Sequence, residues 1–200
     1  MSDSGIREII GDYKPKKRRS LRAVIPYLVT AIIFSLISFS VTFVINKQQR
    51  AKEEVLLVIH GGKSVDEAEL RRVVTAKKLN VYWVGPEKGF RYVLNAAVTS
   101  SISLRYIPEG SSLGDNKVAY REIGTFVSAN AFKVTQQAAT LQNGVGFVNV
   151  DGNAVYYDSR DAKNVYIGLK DMDIQVEIFD PRPDQSLAEA LMQGRVQKIK

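Results

Sequence analysis

The chain has 200 residues, with 28 Lys and Arg against 21 Asp and Glu, a formal net charge of +7, one histidine and no cysteine. The absence of cysteine excludes a disulfide framework, a thiol nucleophile, CxxC redox chemistry and any Cys-ligated zinc or iron–sulfur site. A single histidine likewise excludes HExxH zinc sites, two-histidine metal centres and histidine-ligated iron, so neither a metal ion nor a cofactor is expected.

In chain order, residues 1–22 carry seven basic groups against Asp3, Glu8 and Asp12, a net of +4, with too few apolar residues to fold alone. Residues 47–200 carry 21 basic and 18 acidic groups, a net of only +3. Between them, Ala23 to Ile45 runs for 23 residues without a charged side chain. As a helix rising 1.5 Å per residue it reaches about 35 Å, enough to cross a hydrocarbon core of about 30 Å. Pro26 falls in the first turn, where its missing N–H breaks no helical bond. A basic flank precedes this stretch and a flank of mixed sign follows, which places the N-terminus in the cytoplasm and the remainder outside the cell membrane. The run is longer than a signal-peptide core and leaves through bulky Phe43-Val44-Ile45, so it reads as an uncleaved, single-pass signal anchor.

Lys14, Lys16, Lys17, Arg18, Arg19 and Arg22 form a patch suited to anionic headgroups of the lipid bilayer. Their role is that of a topology signal. A nucleic-acid-binding arm would need a longer basic run with interleaved aromatics, so no nucleic acid is expected as a partner. Ala31, Ser35, Ser38 and Thr42 recur at i, i+4, i+7 and i+11, a stripe of small residues suited to close packing with a second copy or another membrane protein.

Residues 46–63 read as stalk and linker, and residues 64–200 as the extracytoplasmic domain. Ser64-Val65-Asp66-Glu67 has the capping-box pattern and predicts a helix from Ser64 to about Lys78. Period-two patterning then predicts strands over 81–84, 90–98, 101–107 and 118–127, followed by a helix over 130–141. Asp151-Gly152-Asn153 predicts a hairpin between strands at 145–150 and 154–157. Strands over 165–169 and 174–179 complete the sheet. A last helix over 186–193 is expected to pack Leu187, Leu191 and Met192 inward. This order gives an α+β fold: one transmembrane helix, then a mainly antiparallel sheet domain with two or three helices.

No catalytic motif is complete. Gly61-Gly62-Lys63-Ser64 follows an apolar, strand-like run, as a phosphate-binding loop does, but Leu57 stands where that loop needs its first glycine. A Gly-Gly turn explains the same residues. His60 lies beside the stalk, and no serine sits in a G-x-S-x-G elbow. The acids Asp151, Asp158, Asp161, Asp171, Asp173, Glu177 and Asp180 lack calcium-loop spacing, and alternation places Glu177 on the strand face opposite Ile174, Val176 and Ile178. Adjacent Tyr156 and Tyr157 must point to opposite faces, which leaves one of them free to line a groove for a peptide or glycan.

Several blocks resemble an uncharacterised family of actinobacterial single-pass membrane proteins with an extracytoplasmic α+β domain. They are Val81-Tyr82-Trp83-Val84-Gly85-Pro86, Tyr92-Val93-Leu94, Arg105-Tyr106-Ile107-Pro108-Glu109-Gly110, Ile123-Gly124-Thr125-Phe126, Val165-Tyr166, the run from Ile174 to Pro181, and Gly194-Arg195-Val196. The resemblance implies a Gram-positive-type envelope and no particular activity. Elimination therefore points to a non-enzymatic, membrane-anchored binding or interaction module of the cell envelope. The alternative is an anchored hydrolase or transferase acting on an envelope glycan through a carboxylate pair such as Asp173 and Glu177.

Overall fold

The computed structural model describes residues 47–113, 120–182 and 184–200. The basic patch from Lys14 to Arg22, the apolar stretch 23–45 and its stripe of Ala31, Ser35, Ser38 and Thr42 lie outside the described residues. Among those described, no helix is long and apolar enough to cross a membrane.

Residues 47–59 are helical (α1). The apolar run 55–59 therefore ends a helix and is not a strand. It buries Val58 completely and packs Val55 and Ile59 against the core. Gly61 stops the helix in the left-handed region at φ +73°, where the Gly61 N–H reaches the Val58 carbonyl and the Gly62 N–H the Leu57 carbonyl. The next helix, α2 (Glu67–Ala76), starts later than the capping-box pattern predicts. Its N-cap is Asp66, whose Oδ1 accepts from the Glu69 N–H at 2.8 Å. Val65 is drawn into a two-bond bridge with Tyr92, and Ser64 accepts from Arg91, so neither is free to open the helix.

The strands that follow are β1 (Tyr82–Trp83), β2 (Phe90–Val98), β3 (Ser101–Pro108), β4 (Glu122–Val127), β5 (Gly144–Val148), β6 (Ala154–Asp158), β7 (Asp161–Gly168), β8 (Ile174–Phe179) and β9 (Gln197–Lys198). Helix α3 (Ala131–Ala138) lies between β4 and β5, and α4 (Gln185–Leu191) between β8 and β9. Seven strands form one sheet in the order β2-β3-β4-β8-β7-β6-β5, and every neighbouring pair is antiparallel. The fold is thus α+β with a mainly antiparallel sheet. Strand β4 begins at Glu122, with 120 and 121 outside it, and positions 118 and 119 of the expected strand lie outside the described residues. A separate two-stranded ladder pairs β1, which falls within the strand expected over 81–84, with β9, a strand that periodicity did not predict.

The inner face of the sheet carries the core. Leu94, Leu104, Ile123, Val165, Ile167, Val176 and Ile178 are fully buried there. Trp83, Tyr92 and Tyr106 form an edge-to-face ladder with centroids 5.8 and 5.1 Å apart. Each large side chain buried in this way contributes about 1.5–3 kcal/mol.

Helix α4 departs from expectation. Leu191 is 49% and Met192 58% exposed, Leu187 is only partly buried, and the inward side chains are Ser186, Glu189 and Ala190. Glu189 is pulled in by Arg121 and Arg195, which hydrophobic patterning cannot register. Helix α3 packs on the outer face of the sheet. Gly168 makes this possible, since a Cβ there would lie 2.7 Å from both the Ala131 carbonyl carbon and Thr135 Oγ1. Gln175 Nε2 then donates to the buried Thr135 hydroxyl at 2.9 Å.

Candidate functional site

Among the described residues, α3 covers the β5–β6–β7 end of the outer face and reaches β8 at Gln175, and the rest of that face stays open. Side chains alternate along each strand, so the register places Ser103, Glu122, Gly124, Phe126, Asn164, Tyr166, Glu177 and Phe179 on it together. Seven of these eight line a groove of about 350 Å³ across β3, β4, β8 and β7. A second depression of about 460 Å³ begins at the shared Asn164 and continues over Tyr156, Asp158, Arg160, Asp161 and Tyr166. The two make one trough running across the strands.

Aromatic rings form much of its floor. Tyr156 and Tyr166 face each other in register and stack at 5.8 Å with an interplanar angle of 28°. Phe126 folds its ring over Gly124; a Cβ at that position would lie 2.5 Å from Phe126 Cε2, so the glycine creates the space the ring occupies. Phe179 pairs with Glu122 at the far end. The sequence left open which of the two adjacent tyrosines faces outward. Register makes it Tyr156, while Tyr157 packs against the core.

Polar groups stand among the rings. Arg105 donates from Nε and Nη2 to Glu122 Oε2 at 3.1 and 3.0 Å. Among the described residues, Glu177 pairs with no cation. Burial pushes its carboxyl above the usual range, a hydrogen bond with the Tyr166 hydroxyl pulls the other way, and the charge on Glu122 adds to the rise. Burial, followed by the Glu177 charge, pushes the Tyr166 hydroxyl up to about 12. At the other end of the trough, hydrogen bonds from the Arg160 side chain and backbone hold Asp158 down to about 2. Flat ring faces interspersed with carboxylates, an amide and hydroxyls suit a ligand with apolar faces and many hydroxyls.

The pair Asp173 and Glu177, which the sequence offered as a carboxylate dyad, is not brought together. Asp173 sits exposed in the β7–β8 turn, where its Oδ1 accepts from the Asn130 N–H at 2.8 Å at the start of α3. Glu177 lies four residues along β8, about 13 Å away by strand rise. The carboxylate nearest to Glu177 in the register is Glu122, a diagonal neighbour on β4, since Glu177 faces Gly124 and Glu122 faces Phe179. Nothing in the local sequence of either strand marks this pairing; strand order alone creates it. His60 is exposed and bridges to Asn95 at the sheet edge. Among the described residues, no group of three His, Asp or Glu side chains is placed to hold a metal ion.

A second polar cluster lies on the inner face and is structural. Arg121, 6% exposed, donates to Glu87 at 2.6 Å and Asp180 at 2.7 Å, stands 3.5 Å from Glu189, and lies over the Tyr106 ring. Arg182 and Arg195 complete the cluster by pairing with Asp180 and Glu189. Three cations thus meet three anions with no charge left over for a ligand. Asp180 is fully buried, and burial opposes its ionisation, but hydrogen bonds from Arg182 and Arg121 prevail and hold it down to about 2.

Comparison with protein-family models, with curated proteins and with solved structures gives no match for this chain.

Proposed function

We propose that this chain is a single-pass, membrane-anchored module of the cell envelope, whose α+β domain lies outside the cytoplasm and binds an extended glycan along the open sheet face. The trough carries the reading: stacked Tyr156 and Tyr166, the Phe126 ring over Gly124, and Glu122, Asn164 and Glu177 between them. Pyranose rings present flat C–H faces to aromatic rings and hydroxyls to carboxylates and amides, and this trough alternates the two kinds of group. The uncharged stretch 23–45, the basic residues from Lys14 to Arg22, and the resemblance to actinobacterial single-pass proteins support the anchored, outward-facing placement. The stripe of Ala31, Ser35, Ser38 and Thr42 supports association of the anchor with a second copy or another membrane protein.

The experiment is co-sedimentation of the full chain, in mild detergent, with purified peptidoglycan and with a neutral insoluble polysaccharide. Retention is expected to fall about tenfold in Tyr166→Ala, which removes a stacking face worth on the order of 1 kcal/mol and a hydroxyl donor. Absence of retention, or equal retention of the variant, refutes the glycan reading. Protease accessibility of Lys63 to Arg72 in intact cells tests the placement; protection there overturns it.

A second reading, an anchored carboxylate-dependent hydrolase or transferase on the same polymer, is favoured by one observation. Glu177, whose carboxyl burial pushes above its usual range, stands diagonally beside Glu122 on the same open face, the placement of a raised acid next to a second carboxylate. Release of new reducing ends by the wild type, abolished in Glu177→Gln, would select this reading over binding alone.

A further inference from the structure

The seven-stranded sheet has two edges, and they are treated differently. The β2 edge is covered by bridges from His60 to Asn95 and from Val65 to Tyr92. Among the described residues, the β5 edge has no such cover, and Gly146 and Val148 on it are exposed. Its sequence, Gly144-Val145-Gly146-Phe147-Val148, contains no charge and no proline, the usual means by which an open edge is kept from pairing.

The register shows which backbone groups are free. The Asn149 N–H donates to the Asn153 carbonyl and the Ser159 N–H to the Asn143 carbonyl, so the β5–β6 ladder bonds through the odd-numbered residues of β5. The N–H and C=O groups of Gly146 and Val148 therefore point away from the sheet. The Gly144 carbonyl does too, while the Gly144 N–H is engaged by the Leu141 carbonyl at 2.9 Å.

We propose that β5 is a dimerisation edge, at which two copies of this chain pair antiparallel about a two-fold axis through Gly146 and join their sheets. The strand is five residues long with Gly146 at its centre, so this register engages all of it. Gly146 then meets Gly146 of the second copy, and each Val148 N–H meets the other copy's Gly144 carbonyl, giving about four inter-chain hydrogen bonds. Val145 and Phe147 face each other across the axis as apolar cross-strand pairs, and Val148 lies opposite the space left by Gly144. The fit of the strand to itself makes a second copy the occupant: each outward donor finds an acceptor, and no like charges meet. Exposed Val150, and Leu191 and Met192 tied to the same turn through the Asn149–Ala190 hydrogen bond, extend the apolar surface beyond the strand end. A five-residue edge is smaller than a standard interface, so association depends on concentration.

The chain lacks cysteine, which allows a direct test of register. Full-length Val145→Cys and Phe147→Cys are mixed in detergent micelles and oxidised. Facing non-hydrogen-bonded positions lie about 4.5 Å apart between Cα atoms, so the mixed disulfide is expected to exceed either symmetric one about tenfold. Val148→Pro, added to both chains, removes an outward donor without touching the β5–β6 ladder. It is expected to lower the crosslink about tenfold or more while Trp83 emission stays that of the folded domain. No mixed disulfide, a statistical mixture of all three products, or a crosslink indifferent to Val148→Pro overturns the proposal. A dimer held only through the anchor, or an edge occupied by a different partner, gives the first of these results.

Discussion

Replacing Arg121 by methionine isolates the inner-face charge cluster. The substitution keeps the aliphatic stem against Tyr106 but leaves Asp180, fully buried, and Glu189, 2% exposed, without their central cation. Breaking a buried ion pair by deleting one partner costs about 3–5 kcal/mol. Here Arg182 still holds Asp180 and Arg195 still holds Glu189, which lowers the expected loss to about 2–4 kcal/mol. For a domain of this size each kcal/mol moves the midpoint by about 2–4 °C, so Tm should fall by about 5–15 °C. Trp83, the single tryptophan and 1% exposed, reports the transition by its emission in the full chain in mild detergent. Glu87→Gln, whose side chain is 30% exposed, should cost about 1 kcal/mol or less and serves as the comparison. A Tm loss of under about 2 °C in Arg121→Met would show that the cluster does not hold α4 and the end of β8 to the sheet.

Four further outcomes follow from the same geometry. Acid titration should unfold the domain partly through Asp180: its folded pKa, about 2, lies below its ordinary value, so its stabilisation is present above about pH 4 and is lost as pH falls toward 2. Asp180→Asn should flatten that part of the stability–pH curve, and an unchanged curve would contradict the assignment. Glu177 works in the opposite sense. Its raised folded pKa makes the groove most stable below the ordinary glutamate value and less stable as pH rises through the folded value, so Glu177→Gln should be neutral or stabilising by up to about 1 kcal/mol at pH 7. A clear loss of Tm would refute that sign. Gly168→Ala forces α3 away from β7, against backbone that cannot yield cheaply, and should cost about 1–3 kcal/mol by urea unfolding. Gly124→Ala meets only the movable Phe126 ring, so it should leave Tm nearly unchanged while reducing polysaccharide retention; parallel loss of both would tie the ring to stability instead of binding.

Strand β8 shows how far local pattern reaches. Alternation over Ile174 to Phe179 gave its limits and the outward placement of Glu177, because a half-buried strand must present opposite faces every second residue. The hairpin at Asp151-Gly152-Asn153 was equally legible, since Gly152 takes φ +78°, a conformation that few other residues adopt cheaply. Helix α4 shows the limit. Its leucines and methionine suggested an apolar inner face, yet Glu189 turns inward, because Arg121 and Arg195 wait there on other elements. The partner of Glu177 was missed for the same reason: Asp173 was near in sequence, whereas Glu122 is near in space.

By itself, the sequence determined that this chain works without cysteine or paired-histidine chemistry, that an uncharged 23-residue stretch follows a basic tail, and that the rest alternates like an antiparallel α+β domain. These are properties of composition and short-range periodicity, which a linear chain carries on its face. Only the tertiary structure decided that α3 covers one end of the outer face, that Glu122 stands beside Glu177 among the aromatic rings, and that β5 is left as the open edge. Each depends on strand order, and strand order is fixed by pairing between segments far apart in the chain.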